Sequence, residues 1–179
     1  MAPVEQGILV AMGPSLAGRL LVATPLIGDD TFRRTVVLLL AHSDEGAFGV
    51  ILNRPTEQPA AELLVGWGHR AAAPGVVFVG GPVDADSVVG LARGGAVDLH
   101  LDPDDLPDAP AEIRLYAGQS GWGPGQLEDE IGTRAWWVVD ATDDDTLTRD
   151  PEGLWARVLR RQPGTTAWFA NHPDDLRTG

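Results

Sequence analysis

Residues 35 to 42, Thr35-Val36-Val37-Leu38-Leu39-Leu40-Ala41-His42, form a nearly continuous apolar run of strand length that begins with β-branched residues. Strands with one face in water alternate polar and apolar side chains, so an unbroken apolar run predicts a strand buried on both faces. A connecting loop at Ser43-Asp44-Glu45-Gly46 follows, and then a second strand from Phe48 to Asn53, ended by Pro55. Together they predict an antiparallel hairpin at the centre of a sheet.

The remaining elements are short, as 22 glycines and 14 prolines spread along the chain would impose. Strands are predicted at Arg19–Ala23, Val76–Val79, Glu112–Tyr116 and Trp136–Val139. Val88–Leu91 and Val97–Leu101 are weaker strand candidates. A short amphipathic helix is predicted to start at Pro59 and to carry Leu63, Leu64 and Trp67. Gly118–Gly125 is expected as a glycine-rich loop opening a helix with Leu127 and Ile131 on one face. Asp150-Pro151 has the character of an N-cap and first helical residue. The helix it starts would bury Leu154, Trp155, Val158 and Leu159, with Arg157, Arg160 and Arg161 toward solvent. Strands and helices do not alternate cleanly, which argues against a doubly wound parallel sheet. The fold class is α+β: a mixed, mainly antiparallel sheet with peripheral helices. Residues 1–14 are expected to be an N-terminal leader and 15–179 a single domain, a size that supports one sizeable core.

Composition removes several functions. With no Cys there is no disulfide, zinc thiolate or thiol nucleophile. Every basic residue other than His is Arg, so a P-loop lysine, a Schiff-base lysine and pyridoxal-phosphate attachment are excluded. No cofactor is expected. Apolar runs fall far short of the roughly 20 residues that span a bilayer. Ile8–Met12 is broken by Gly13-Pro14 and lacks a basic flank, so a cytoplasmic protein is expected, with no membrane partner. The net charge is −13. Nucleic-acid binding draws on neutralised phosphates, so direct binding to DNA or RNA is not expected.

Candidate chemistry is sparse. Gly118-Gln119-Ser120-Gly121-Trp122 has Trp where a nucleophile elbow needs Gly. Gly121-Trp122-Gly123-Pro124-Gly125-Gln126 has its third Gly misplaced for a dinucleotide fingerprint. The helix after it begins Glu128-Asp129-Glu130, acids that complement the helix dipole and would repel a phosphate. Asp102-Pro103-Asp104-Asp105 lacks the turn Gly and closing Glu of a calcium loop. His42, His69, His100 and His172 show no ligand-pair spacing, so no metal site is expected. Asn53-Arg54 and Gly80-Gly81 each end a strand, where ligands commonly bind.

These segments resemble one family when taken in order. Thr31–Val37, His42 and Glu45–Pro55 are similar to the N-terminal block of the AlgH/YqgE family. Gly80-Gly81-Pro82-Val83 resembles its middle motif. Gly118, Gly121-Trp122, Gly125–Glu130 and Ala135-Trp136 resemble its C-terminal block. The resemblance runs from about Gly18 to Trp137. It implies a compact α+β fold with barrel-like curvature of the sheet, helices around it, and the label of a transcriptional regulator. Gln119 departs from the Tyr usual in the family, so a role needing a phenol there is not carried over. Three functions are open. The first is a small-molecule-binding or regulatory protein with a cleft formed by His42, Asn53, Arg54, Gly80, Gly81, Gly118, Gly121, Trp122, Gln126 and Glu128. The second is a hydrolase using His42, Asn53 and Glu128. The third is a protein-interaction module that affects transcription indirectly.

Overall fold

The computed structural model describes residues 14–171. The expected leader therefore lies outside the described residues, apart from Pro14, and so does His172. The described strands are β1 (Leu20–Ala23), β2 (Val36–Ser43), β3 (Gly46–Ile51), β4 (Pro55–Pro59), β5 (Val76–Val79), β6 (Val83–Ala92), β7 (Gly95–Val97), β8 (Arg114–Trp122) and β9 (Trp136–Val139). The helices are α1 (Ala60–Leu63), α2 (Val65–Gly68), α3 (Gln126–Gly132), α4 (Asp143–Thr146) and α5 (Leu154–Arg160), with 3-10 turns at Pro103–Asp105 and Gly164–Asn171. The strand order is β4-β5-β8-β3-β2-β1-β9, and the β6–β7 hairpin is attached to β8. All pairings between these strands are antiparallel except β5 with β8. The sheet is mixed, curled into a half-barrel and flanked by helices, the α+β class expected.

The apolar run does what its pattern demands. Val36, Leu38 and Leu40 face a core that contains Leu154, Trp155, Val158 and Leu159 of α5. Val37 and Leu39 face the opposite core, with Trp122, Leu127 of α3 and Trp136. The hairpin turn is tight, with Ser43 pairing directly with Gly46. A third cluster, around Trp67, Val77, Ile113 and Leu115, lies under α1 and α2.

Several expectations change in detail. The helix expected from Pro59 is two short turns, because Leu64 is extended between them. Val88–Leu91 is the end of a ten-residue strand, β6. Only Val97 of the Val97–Leu101 candidate is in a strand. Gly118–Trp122, expected as loop, continues β8, and the turn before α3 is confined to Gly123–Gly125. Its glycines mimic a loop because local composition does not reveal a strand crossing. Glu112–Tyr116 alternates polar and apolar residues, the pattern of a half-exposed strand, yet Arg114 is 1% exposed and Tyr116 is fully buried. The Arg114 guanidinium donates to Thr146 O and Ala73 O and stacks on Phe78, and the Tyr116 hydroxyl donates to the same Thr146 O. Burial lowers the Arg114 pKa and raises that of Tyr116. Asp150 accepts from Gly153 N, but it caps a turn ahead of α5. Arg157 and Arg161 do more than face solvent: they pair with Asp150 and with the buried Asp145.

Trp155 locks α5 to the sheet. It is 2% exposed, its indole N–H donates to Ala23 O at 2.9 Å, and the Arg34 guanidinium lies 4.1 Å over its ring. Trp155→Ala is expected to cost about 3–5 kcal/mol in denaturant unfolding, the usual range for a buried aromatic. A loss below about 1 kcal/mol would show that α5 is not anchored through this ring.

Candidate functional site

The strand ends named above converge, though not as an open cleft. Val79 N donates to Arg54 O, and Ile51 N donates to Gly80 O. Gly80 and Gly81 lie against Gly118 and Gln119 of β8. A Cβ at Gly80 would fall 2.3 Å from Gly118 O, and one at Gly81 would fall 2.3 Å from Gln119. One at Gly118, whose φ is +72°, would meet Gly81 O at 2.5 Å. These three glycines make room for each other's backbone, so the space a ligand would need is filled by the chain itself. Asn53 is 5% exposed and is engaged at both ends of its amide. Its Oδ1 accepts from Val36 N, and its Nδ2 donates to Arg34 O. It thereby holds Arg34, which has a left-handed φ of 56°, at the entrance to β2. Arg54 donates to Arg33 O in the same turn.

At the other end of β2, His42 meets α3. Leu16 N donates to His42 Nδ1 at 2.9 Å, and His42 Nε2 lies 2.5 Å from Glu128 Oε1. A backbone donor on Nδ1 makes that nitrogen the acceptor, so the ring proton belongs on Nε2 and points at the carboxylate. The His42 side chain is nearly buried, at 8% exposure, while that of Glu128 is half exposed. The hydrogen bond from His42 holds the Glu128 pKa below its ordinary value. An open groove of about 330 Å³ lies beside this pair, lined by His42, Glu45, Ala47, Phe48 and Trp122 among others. Phe48 is 40% exposed, whereas Trp122 is mostly buried and forms the inner wall. Gly121 is cross-strand from Phe48, on the outer surface of the sheet.

Trp122 is held by a residue that carried no separate signal in the sequence. Glu130 Oε1 accepts from the indole N–H groups of both Trp122, at 3.2 Å, and Trp136, at 3.0 Å. Its Oε2 accepts from Gln126 Nε2, and Gln126 Oε1 accepts from Gly123 N. Gln126 therefore closes the turn before α3 with both ends of its amide. The two indoles pack edge to face, with Phe32 against both. A Trp eight residues before a Glu and a second Trp six residues after it signal nothing without knowledge that two strands and a helix meet there. Ser120 is fully buried and donates to Gly80 O, so the Ser of the elbow-like segment presents no exposed hydroxyl. Among the described residues, no three His, Asp or Glu side chains are grouped closely enough to hold a metal ion. No helix among them is long and apolar enough to cross a membrane.

The class so defined is a curled, mainly antiparallel α+β domain with an aromatic groove at one hairpin and a His–Glu pair behind it. The AlgH-like family model matches residues 20–167, and the chain belongs to that family. A UPF0301 protein of Streptomyces avermitilis is 48% identical over 90% of this chain and 94% of its own length. One from Thermobifida fusca is 44% identical, with the same coverage. Among solved structures, a protein of Corynebacterium diphtheriae superposes with a TM-score of 0.81 at 29% identity, covering 89% of this chain and 93% of that one. The solution structure of AlgH from Pseudomonas aeruginosa gives 0.65 at 26% identity, covering 89% and 96%.

Two outcomes follow from this geometry. Glu130→Ala leaves two largely buried indole N–H groups without an acceptor and should cost about 2 kcal/mol or more, read by urea unfolding. A loss within about 0.5 kcal/mol would mean that water replaces the carboxylate. The second concerns pH. Because the folded pKa of Glu128 is depressed, its contribution is present above the unfolded carboxylate pKa and is lost as pH falls through the folded value. The urea-midpoint difference between wild type and Glu128→Gln should be largest near neutrality and shrink at acid pH. A difference that is flat across that range would remove the His42–Glu128 bond as its cause.

Proposed function

We propose that the protein is a cytoplasmic small-molecule-binding or regulatory protein that does not bind DNA directly, and that its ligand enters the groove between Phe48 and Trp122. The observation that carries this reading is the state of His42. Both its ring nitrogens are bonded within the protein, to Leu16 N and to Glu128, so it builds the groove wall and has no nitrogen free to act as a base. The Asn53 amide and the Ser120 hydroxyl are likewise engaged in internal hydrogen bonds. Glu45 on the rim and Glu128 behind His42 favour a neutral or weakly polar ligand over a polyphosphate.

A thermal-shift screen against a metabolite library tests the first part. A ligand at about a hundred times its Kd adds about 2.7 kcal/mol to the folded state. Phe48→Ala should leave the ligand-free melting temperature unchanged and abolish the shift. A ligand that stabilises Phe48→Ala as well as wild type binds elsewhere. Duplex DNA should show no saturable binding at physiological salt, because the net charge is −13. Sub-micromolar, salt-sensitive binding in an anisotropy titration would overturn that part.

A further inference from the structure

The described residues begin at Pro14, beside the groove. Ser15 Oγ donates to His42 O at 3.1 Å, and Leu16 N donates to His42 Nδ1 at 2.9 Å. His42 is part of the groove lining. Leu16 and Ala47 pack against the same core cluster, which includes Trp122. These contacts fix the point from which the preceding residues leave the body of the protein. Ile8-Leu9-Val10-Ala11-Met12 is an unbroken apolar run, and Glu5 is the only charged side chain in residues 1–13. At about 3.3–3.6 Å per residue, the run can reach from about 10 Å to about 25 Å beyond Ser15. The surface beside that anchor offers an apolar face. Phe48 stands 40% exposed on the groove. Gly121, cross-strand from Phe48, carries no side chain, and next to it lies Val83, also 40% exposed.

We propose that the apolar run Ile8–Met12 is the groove's occupant in the ligand-free protein, a strap of the chain's own that covers Phe48 and that a ligand must displace. Covering the Phe48 ring with the run removes apolar surface of both from water. The tether favours the chain's own segment, because a short linker holds it at an effective concentration on the order of millimolar. The same segment of a second copy would have to bring up a body of net charge −13 against like charge. Competition between strap and ligand rests on the function proposed above, whereas coverage of the groove by the strap does not.

The chain has no Cys, so Gly7→Cys gives a single attachment point for a nitroxide next to the run. In isotopically labelled full-length protein, the nitroxide should broaden the amide signals of Ala47, Phe48, Gly121 and Val83. The double variant Leu9→Asp/Val10→Asp keeps the tether and removes the apolar run, so it sets the level that tethering alone produces. Broadening at the four amides should fall to that level in the double variant and in Phe48→Ala. Broadening in the parent chain no greater than in the double variant would overturn the proposal. So would broadening that persists when the nitroxide is carried only by unlabelled chains mixed with labelled ones, since the occupant would then be a second copy. The neutral probe 1-naphthylmethanol reads the competition. The double variant should bind it more tightly than wild type, about tenfold if the strap covers the groove nine-tenths of the time. Equal affinity at Phe48 in the two chains would overturn the strap. Binding to neither chain would overturn the ligand reading, while broadening above the tether level would still support the strap.

Discussion

The fold depends on one strand that must serve three neighbours. β8 pairs with β5 in parallel, with β6 along most of its length, and with β3 at its C-terminal end. A strand has two edges, so β8 changes partners along its length and passes from one part of the curled sheet to the other. At the crossing, Gly80, Gly81 and Gly118 bring backbones within distances that a Cβ would forbid. Ser120 binds the same spot through Gly80 O. The half-barrel, the position of Trp122 at the end of β8 and the place of α3 beside it all follow from that crossing.

The carboxylates of α3 show how a generic electrostatic role becomes specific. An acidic first turn complements the helix dipole wherever the helix lies. Here Glu128 and Glu130 also reach in opposite directions, one to His42 on β2 and the other to the indoles of β8 and β9. The helix is thereby pinned across three strands by two residues, and the groove inherits a fixed wall. His42 is the counterpart on the sheet. It ties the segment before β1, through Leu16, to the helix after β8.

The acidity of the chain is unevenly used. Some carboxylates are structural, such as Asp145, which accepts two hydrogen bonds from Arg161 in a nearly buried position. Others, such as Asp108, are exposed and have no bonding partner among the described residues. A domain with this balance repels phosphate backbones, so its charge argues against a nucleic-acid partner.

The elements legible from sequence were those whose side-chain period is set by burial. The run Thr35–His42 specified a strand covered on both faces, and the spacing of Leu154, Trp155, Val158 and Leu159 specified the buried face of α5, because burial acts residue by residue along one element. The lack of Cys and Lys and the excess of acid likewise bounded the chemistry before any coordinate. The glycines at 80, 81 and 118 were legible as special positions, but not as a strand crossing, since the same residues suit a turn or a ligand's approach. Asn53 and Gln126 are the polar residues one would assign to a cleft, and each is spent on holding a turn. Glu130 was indistinguishable from its acidic neighbours. Which polar group is left over for a ligand depends on which partners the fold brings within hydrogen-bonding distance. Those partners lie 86 residues apart for His42 and Glu128, so tertiary structure alone decides it.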